Sequence, residues 1–316
     1  MIPYLTKIYF FLLAAQLYLL PIQAQRQPVF NIPDTTVPSR IWLMGGVTAS
    51  LYGGALLALN DAWYRQYPRT GFHFFNDDGE WAQMDKMGHI YSAYMEGKMS
   101  RELWRYTGLP RKQQIWIGGL SGFTYQSVIE VLDAYSSEWG FSWGDMTANA
   151  AGAALMISQE LAWDEQRIQL KFSSFPQHYR DPVIKARSNE LFGKSLPERT
   201  LKDYNAQTYW LSINLHSFAP DSHLPAWLNI AVGYGADGMF KGDNNIWVDD
   251  NGVKHNYNDI PRIRQFYLAP DIDFTKIPTR RKGLKALFVV LNMLKFPAPT
   301  LEVTSQGKLK GHLIYF

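Results

Sequence analysis

The sequence predicts an α+β protein: an N-terminal bundle of about four apolar helices, then a small antiparallel β-rich C-terminal part with one short helix. Three observations carry that prediction. Apolar stretches at helical spacing, punctuated by glycine, run from Ile41 to Trp163. From Tyr209 onward apolar and polar residues alternate with period two. The chain has 316 residues, 47% hydrophobic, with no cysteine, so it can build a sizeable core without a disulfide or a zinc–thiolate staple. That composition also excludes intrinsic disorder and collagen-like architecture.

The first segment reads as an export signal. Lys7 precedes an apolar run, Ile8 to Leu20, and Pro21-Ile22-Gln23-Ala24-Gln25 follows as a processing site. Residues 1–25 are assigned to this signal peptide and residues 26–38, rich in proline, to a linker. Removing the signal takes away Lys7 and no acid, so the formal charge of +3 becomes +2, too small a balance for a nucleic-acid footprint. Residues 39–171 form the predicted helical domain. Ile41 to Leu59 carries no charge and is long enough either to span a bilayer or to lie inside a bundle. Trp63, Tyr64 and Tyr67 follow it, as an interfacial belt or as core anchors would. Further helices are expected from Trp81 towards Tyr106, from Lys112 to Asp133, and from about Asp145 to Trp163. Gly108-Leu109-Pro110 breaks the chain between two of them, and Ser142-x-x-Asp145 resembles a capping box.

Residues 172–207 read as an irregular or short-helical connector, and residues 208–316 as the β-rich region. Strands are expected at Tyr209–Leu215, Trp227–Gly235 and Arg264–Phe274, a short helix at Leu284–Leu294, and a hairpin pairing Thr300–Thr304 with Lys308–Tyr315. An outer-membrane barrel is disfavoured on this reading. Only about five strands are visible where such barrels need at least ~8. Counting back from Phe316 through Ile314, His312, Lys310 and Lys308 puts charges on the face that would meet lipid. A small soluble or membrane-apposed sheet is expected instead.

The polar residues of the helices form one constellation. Asp85 and His89 stand at i, i+4, so they share a helix face. Gln126, Glu130 and Asp133 fall on one stripe of the next helix, and Asp145 and Asn149 on one stripe of the helix after that. Glycines accompany these stripes and permit close helix approach. Polar groups packed between helices must satisfy one another, since an unpaired buried group costs ~1–3 kcal/mol. If the stripes converge, they make an acidic site with one imidazole. His89 and Glu130 could then act as an acid/base pair, with Asp85, Gln126, Asp133, Asp145 and Asn149 as a binding or structural cluster. A divalent metal is the cofactor such a set could hold, with Asp85, His89 and Glu130 as candidate ligands. Each residue also has a plainer role: a cap for Asp145, solvated helix charge for Asp85, Glu130 and Asp133, a packed histidine for His89. Gly118-Gly119-Leu120-Ser121-Gly122 lacks the Lys-Ser/Thr of a phosphate loop and reads as helix packing.

Trp81-x-x-x-Asp85-Lys86-x-Gly88-His89, Ile129-Glu130-x-x-Asp133 and Trp139-Gly140-Phe141-Ser142-x-Gly144-Asp145-x-x-x-Asn149-x-x-Gly152 resemble the YfiM-like family, predicted periplasmic or outer-membrane-associated bacterial proteins of unknown function. Lys202-Asp203-Tyr204-Asn205-x-Gln207-Thr208-Tyr209-Trp210-Leu211-Ser212 is similar to the form found in Bacteroidetes. More remotely, the Asp85–His89, Glu130 and Asp145–Gly152 pattern is similar to VanZ-like membrane proteins, whose helices are taken to span the membrane and which are linked to glycopeptide resistance. The resemblance implies a compartment rather than a reaction.

Two functions are therefore expected in competition. The first is a membrane-associated binding or scaffolding protein of the cell envelope, whose partners are membrane or envelope components, with a protein partner for the β-rich region and no nucleic acid. The second is an envelope hydrolase or transferase acting on a lipid-linked or glycan substrate through His89 and neighbouring carboxylates. No Gly-x-Ser-x-Gly or His-Glu-x-x-His motif accompanies them. An exported chain without cysteine is expected to be periplasmic or membrane-associated in a Gram-negative envelope and not a lipoprotein.

Overall fold

The computed structural model describes residues 32–60, 64–65 and 67–316. The predicted signal peptide, residues 26–31 of the predicted linker and Trp63 lie outside the described residues. Chain contacts divide the molecule into two compact units. One holds the described residues up to Asn76 together with Ser92–Glu165; the other holds Asp77–Tyr91 and Gln166–Phe316.

The first unit is helical. Helix α1, Pro38–Leu59, starts with proline at its first turn, where the missing N–H costs nothing. It carries no charge after Arg40, yet only Met44, Ala58 and Leu59 are buried along it. Of the two fates expected for this run, the inside of a bundle is not the one adopted. α1 is long and apolar enough to cross a membrane by length and composition. Helix α2, Met84–Arg105, gives its last turns to this unit. It is not the apolar helix expected, since it carries Asp85, Lys86, Glu96, Lys98, Arg101, Glu102 and Arg105.

Helix α3, Arg111–Asp133, approaches α2 closely because glycine removes the intervening side chain. A Cβ on Gly122 would collide with the Ala93 carbonyl, and one on Gly118 would lie 2.5 Å from Arg101 Cα. This bears out the packing reading of that glycine-rich run. Helix α4, Trp143–Trp163, is capped by Ser142, whose Oγ accepts the Asp145 N–H at 3.1 Å. The Arg101 guanidinium reaches Glu160 at 2.8 Å and Asp164 at 3.2 Å, pinning α2 to the end of α4.

The second unit is built on a six-stranded antiparallel sheet in the order β1-β2-β3-β6-β7-β8, with a separate β4–β5 pair. Its strands are β1 Ile168–Ser174, β2 Gln207–Asn214, β3 Leu228–Asp237, β4 Ile246–Val248, β5 Lys254–Asn256, β6 Ile263–Ile272, β7 Ala298–Thr304 and β8 Leu309–Tyr315. Short helices join them: α5 Pro182–Phe192, α6 Leu196–Lys202, α7 Leu215–Phe218 and α8 Lys282–Leu291. The stretch expected to be an irregular or short-helical connector contains two short helices and, unexpectedly, the end of a strand. α6 is fixed by a reciprocal cap between Ser195 and Glu198.

Cross-strand register sorts the sheet's two faces. Leu170, Leu211, Val232, Leu268, Leu301 and Gly311 form one lateral row, and Phe172, Tyr209, Tyr234, Phe266, Val303 and Leu309 the next. The opposite face carries Lys171, Trp210, Gly233, Tyr267 and Glu302 in one row. That second face is the buried one; the first is covered only towards β1 and β2, where Leu170 and Tyr209 are buried and Phe172, Tyr209 and Tyr234 pack with Met84 and Tyr91. Lys171 and Asp271 pair at 2.8 Å with both side chains fully buried. Ser212 donates to Asp271 at 2.6 Å, Asn229 to Ser212 at 2.8 Å, and Asn214 to Asn229 at 2.7 Å. Lys295 donates to the Pro270 and Phe296 carbonyls and lies over the Trp210 ring. Tyr315 donates to Tyr267 at 2.9 Å, and His312 meets Glu302 at 2.6 Å.

Two expectations about the sheet need correction. It has more strands than alternation revealed. In β8, Lys310 stands opposite Glu302 and His312 opposite Thr300, so they point to the same side as the polar face, where His312 is half-buried and Lys310, on the edge strand, is exposed. Leu309, Gly311 and Leu313 alternate with them on the other. The residues counted back from Phe316 were taken for the outward set, and an irregularity between Ala298 and Thr300 breaks the strict alternation that the count assumed.

Candidate functional site

In the second unit the segment Asp77–Tyr91 brings Asp85 and His89 onto one helical face, with His89 Nε2 3.9 Å from Asp85 Oδ2. That gap is too long for a hydrogen bond. It is also wider than the ~3.3 Å edge of a tetrahedral zinc site with ~2.0–2.1 Å ligand bonds. Tyr204 donates its hydroxyl to Asp85 Oδ1 at 2.8 Å. Lys86 lies 3.6 Å from Asp85 and 2.5 Å from Asp77. Gly88 lies against Tyr209, where an added Cβ would stand 3.1 Å from the phenolic oxygen. Burial, and then the Asp85 charge, push the Tyr209 hydroxyl well above its ordinary pKa, so it stays a neutral donor, here to Gln207 at 3.0 Å.

Asp85 enters from a strained turn. Trp81, Ala82 and Gln83 have φ of 47°, 49° and 62°, three consecutive left-handed residues without a glycine. Each costs roughly 1–2 kcal/mol, and such strain persists only where surrounding contacts hold it. Here Trp81 N–H donates to the Gly242 carbonyl at 2.7 Å, Tyr234 donates to the Ala82 carbonyl, and Arg264 donates to Gln83. The Trp81 ring packs on Tyr204 and Phe192. The helix expected from Trp81 therefore begins only at Met84. Close by, Glu80 lies against Gly242. Burial, then the charges of Asp77, Asp243 and Asp85, raise its carboxyl above the ordinary range.

In the first unit the remaining candidates each meet a specific neighbour. Glu130, 1% exposed, accepts the Ser142 backbone N–H at 3.2 Å, which ties the end of α3 to the cap of α4. Asp145 and Asn149 are buried on α4. Gln126 donates to Glu96 at 2.9 Å, joining α3 to α2. Asp133 accepts the Tyr64 hydroxyl at 2.6 Å. Tyr64 and Tyr67 both pack edge-on against Trp139, so these two aromatics act as anchors. Phe72, Phe74 and Trp143 make a further aromatic cluster whose rings are exposed.

The geometry thus joins Asp85, His89 and Tyr204 in one unit, and Glu130, Ser142 and Asp145 in the other. Tyr204, Tyr209 and Glu80 were not expected at a site. Asp77-Asp78-Gly79-Glu80 offered a signal as an acidic turn; Tyr204 and Tyr209 stood in the Lys202–Ser212 motif quoted above, which carried no role for them.

Residues 73–159 match a family model described as a predicted periplasmic lipoprotein, DUF2279. No curated protein and no solved structure matches the chain. The match supports a periplasmic, cell-envelope setting, as the sequence suggested. It overturns the expectation of a protein outside the lipoproteins. That expectation came from the lack of cysteine, which speaks to one attachment chemistry in one chain and not to the class described. Over residues 73–159, which include Asp85, His89, Glu130 and Asp145, the chain is similar to a predicted periplasmic lipoprotein family of unknown function.

Proposed function

We propose that the protein is a membrane-associated binding or scaffolding component of the cell envelope, of the YfiM-like kind, with its polar helix residues serving as a structural network. One observation carries this reading: four of the polar helix residues are engaged in bonds that hold elements together. Asp85 takes the Tyr204 hydroxyl, Glu130 the Ser142 amide, Gln126 bonds Glu96, and Asp133 takes the Tyr64 hydroxyl. The largely uncovered apolar helix α1 supports membrane association.

The test combines His89→Ala with Glu130→Ala in the full chain. Melting is followed by circular dichroism, and function by rescue of the envelope defect of a deletion strain. A structural network predicts that stability and rescue fall together. Intact melting with lost rescue would sink it.

The second reading, a hydrolase or transferase acting on a lipid-linked or glycan substrate, is favoured by the left-handed turn at Trp81–Gln83. Strain of that kind clusters at functional sites. His89 would then serve as acid/base with Asp85 as its neighbour, and Asp85 and His89 would be the residues to offer oxygen and nitrogen to a metal.

A further inference from the structure

We propose that the outward face of strands β3, β6, β7 and β8 is a lipid-contacting surface that, together with the basic helix α8, enters one leaflet of an anionic membrane. The proposal deepens the membrane-associated reading above and rests on it.

The first argument is polarity. A soluble antiparallel sheet buries its apolar face and wets its polar one. Here the order is reversed. Lys171, Asp271 and Glu302 are sealed away, while Val232, Leu268 and Leu301 on the other face are 48%, 45% and 52% exposed. Neither lateral row described above for that outward face contains a charged side chain. Apolar residues outward and polar residues inward is the pattern of strands whose outside meets lipid. Across β6, β7 and β8 those rows hold only Phe266, Leu268, Leu301, Val303, Leu309 and Gly311, so a protein partner of ordinary polarity would find no charge or hydrogen-bonding side chain there.

Depth decides how far such a surface could go in. Phe266, Leu268 and Pro270 are exposed along β6, and the four steps of ~3.3 Å between the first and the last span about 13 Å. That is roughly half the ~25 Å band of an outer-membrane barrel. It is of the order of one leaflet of a ~30 Å hydrocarbon core. The outward face therefore suits insertion to leaflet depth and not a crossing. A groove of about 590 Å³ on this face is lined mainly by apolar residues such as Leu228, Leu268 and Leu301, with Asn229, Thr300 and His312 also on its walls. It would take an acyl chain.

Charge supplies the third argument. α8 exposes Leu284, Leu287 and Val289, and the exposed Arg280, Arg281 and Lys285 stand at its start. A basic amphipathic helix of this kind lies in a membrane interface, and each basic group near an anionic surface strengthens binding several-fold. α8 is tied to the sheet at its C-terminal end, where Asn292 bonds Gln169 and the Met293 carbonyl accepts the Phe172 N–H.

The absence of cysteine makes the test clean. Single substitutions Val232→Cys, Leu268→Cys and Leu301→Cys in the full chain are labelled with an environment-sensitive fluorophore, with Asn251→Cys as a control in an exposed turn. Each is mixed with vesicles of phosphatidylglycerol and phosphatidylethanolamine, or of phosphatidylcholine alone. We expect blue-shifted emission, quenched by nitroxides on the acyl chains, at the three sheet positions and not at the control. Leu268→Asp with Leu301→Asp should weaken vesicle binding by about tenfold or more, the order of cost of charges on a lipid-facing strand. Arg280→Gln, Arg281→Gln and Lys285→Gln together should erase the preference for the anionic vesicles. If the protein floats with vesicles while the sheet labels stay open to an aqueous quencher, the sheet proposal is overturned and the membrane-associated reading survives. If it does not float at all, both fail. Protection of the labels without lipid, together with a dimer by light scattering, would assign the face to a second copy and also overturn the proposal.

Discussion

Replacing Asp271 by alanine should destabilise the β-rich unit by about 4 kcal/mol. The carboxylate is buried, with Lys171 at 2.8 Å, Lys295 at 3.6 Å, the Ser212 hydroxyl at 2.6 Å and the Phe296 N–H at 3.1 Å. Removing one partner of a buried ion pair costs ~3–5 kcal/mol, because the charge left behind has neither water nor a counterion. Two lost hydrogen bonds keep the figure in the upper part of that range. With a urea slope of ~2–3 kcal/mol/M, the midpoint should fall by about 1.3–2 M. Tryptophan fluorescence reads this directly, since Trp210 lies under the Lys295 ammonium. Adding Lys171→Met to Asp271→Ala should recover a large part of the loss, because a buried pair removed together is often neutral. Lys295 gives a second readout. Burial lowers its pKa and the Asp271 charge opposes that. Without Asp271 the folded value falls further, so the folded chain binds fewer protons than the unfolded one over a wider window. The variant's stability should then climb more steeply as pH rises towards the ordinary lysine value. A loss below about 1 kcal/mol, or no recovery in the double variant, would mean that the polar face is wet and that the argument from burial is wrong.

Other perturbations test separate parts of the molecule. Ala82→Gly should stabilise the chain by up to about 1 kcal/mol in urea titration, since glycine adopts the left-handed turn without penalty; a loss would mean that the methyl group's packing outweighs the strain. Gly122→Val should destabilise the helical unit by at least ~1–3 kcal/mol, read as a drop in melting temperature, because the new side chain meets the Ala93 carbonyl. Glu198 is pulled up by burial, but the Ser195 hydroxyl and the Ser195 and Lys194 amides outweigh that and hold its carboxyl below the ordinary range. Its contribution is therefore present above the ordinary carboxylate value and lost as pH falls through the lowered one. Glu198→Gln should flatten the acid limb of the stability profile there, and an unchanged limb would refute the assignment. Tyr204→Phe removes the donor to Asp85 and should cost ~1.5–3 kcal/mol, the range for a hydrogen bond to a charged group, by the same titration.

Legibility followed the distance over which the responsible forces act. Asp85 and His89 were visible as a pair because i, i+4 spacing is a property of the helix itself, and Ser142 announced its cap three residues ahead of Asp145. β2, β3 and β6 alternate cleanly, so period two found them. β1 was missed because its polar members include Lys171, which reads as a solvated charge and is in fact fully buried against a partner in β6. The turn at Trp81–Gln83 contains no glycine, so no local rule marks it; Gly242, Tyr234 and Arg264 impose it from far along the sequence. The same holds for Tyr204, which reaches Asp85 across 119 residues. The outward face of β8 was misassigned because one irregular pairing reverses which residues of a strand lie inside.

The reach of Lys171 also bears on how the protein comes to be folded. Its ammonium donates to a carbonyl 101 residues away, with β2 and β3 standing between the two strands in the sheet. Contacts of such sequence separation form late, and sheets that depend on them fold in milliseconds to seconds rather than microseconds. During that interval the strands that carry Val232, Leu268 and Leu301 are made but not yet in register, and their apolar edges are open to pairing with another chain. A protein arriving unfolded in the periplasm with this sheet would need a chaperone or a waiting membrane to occupy those residues until the ion pair closes. Its yield in the cell is then set by the race between closure and aggregation more than by the stability of the finished sheet.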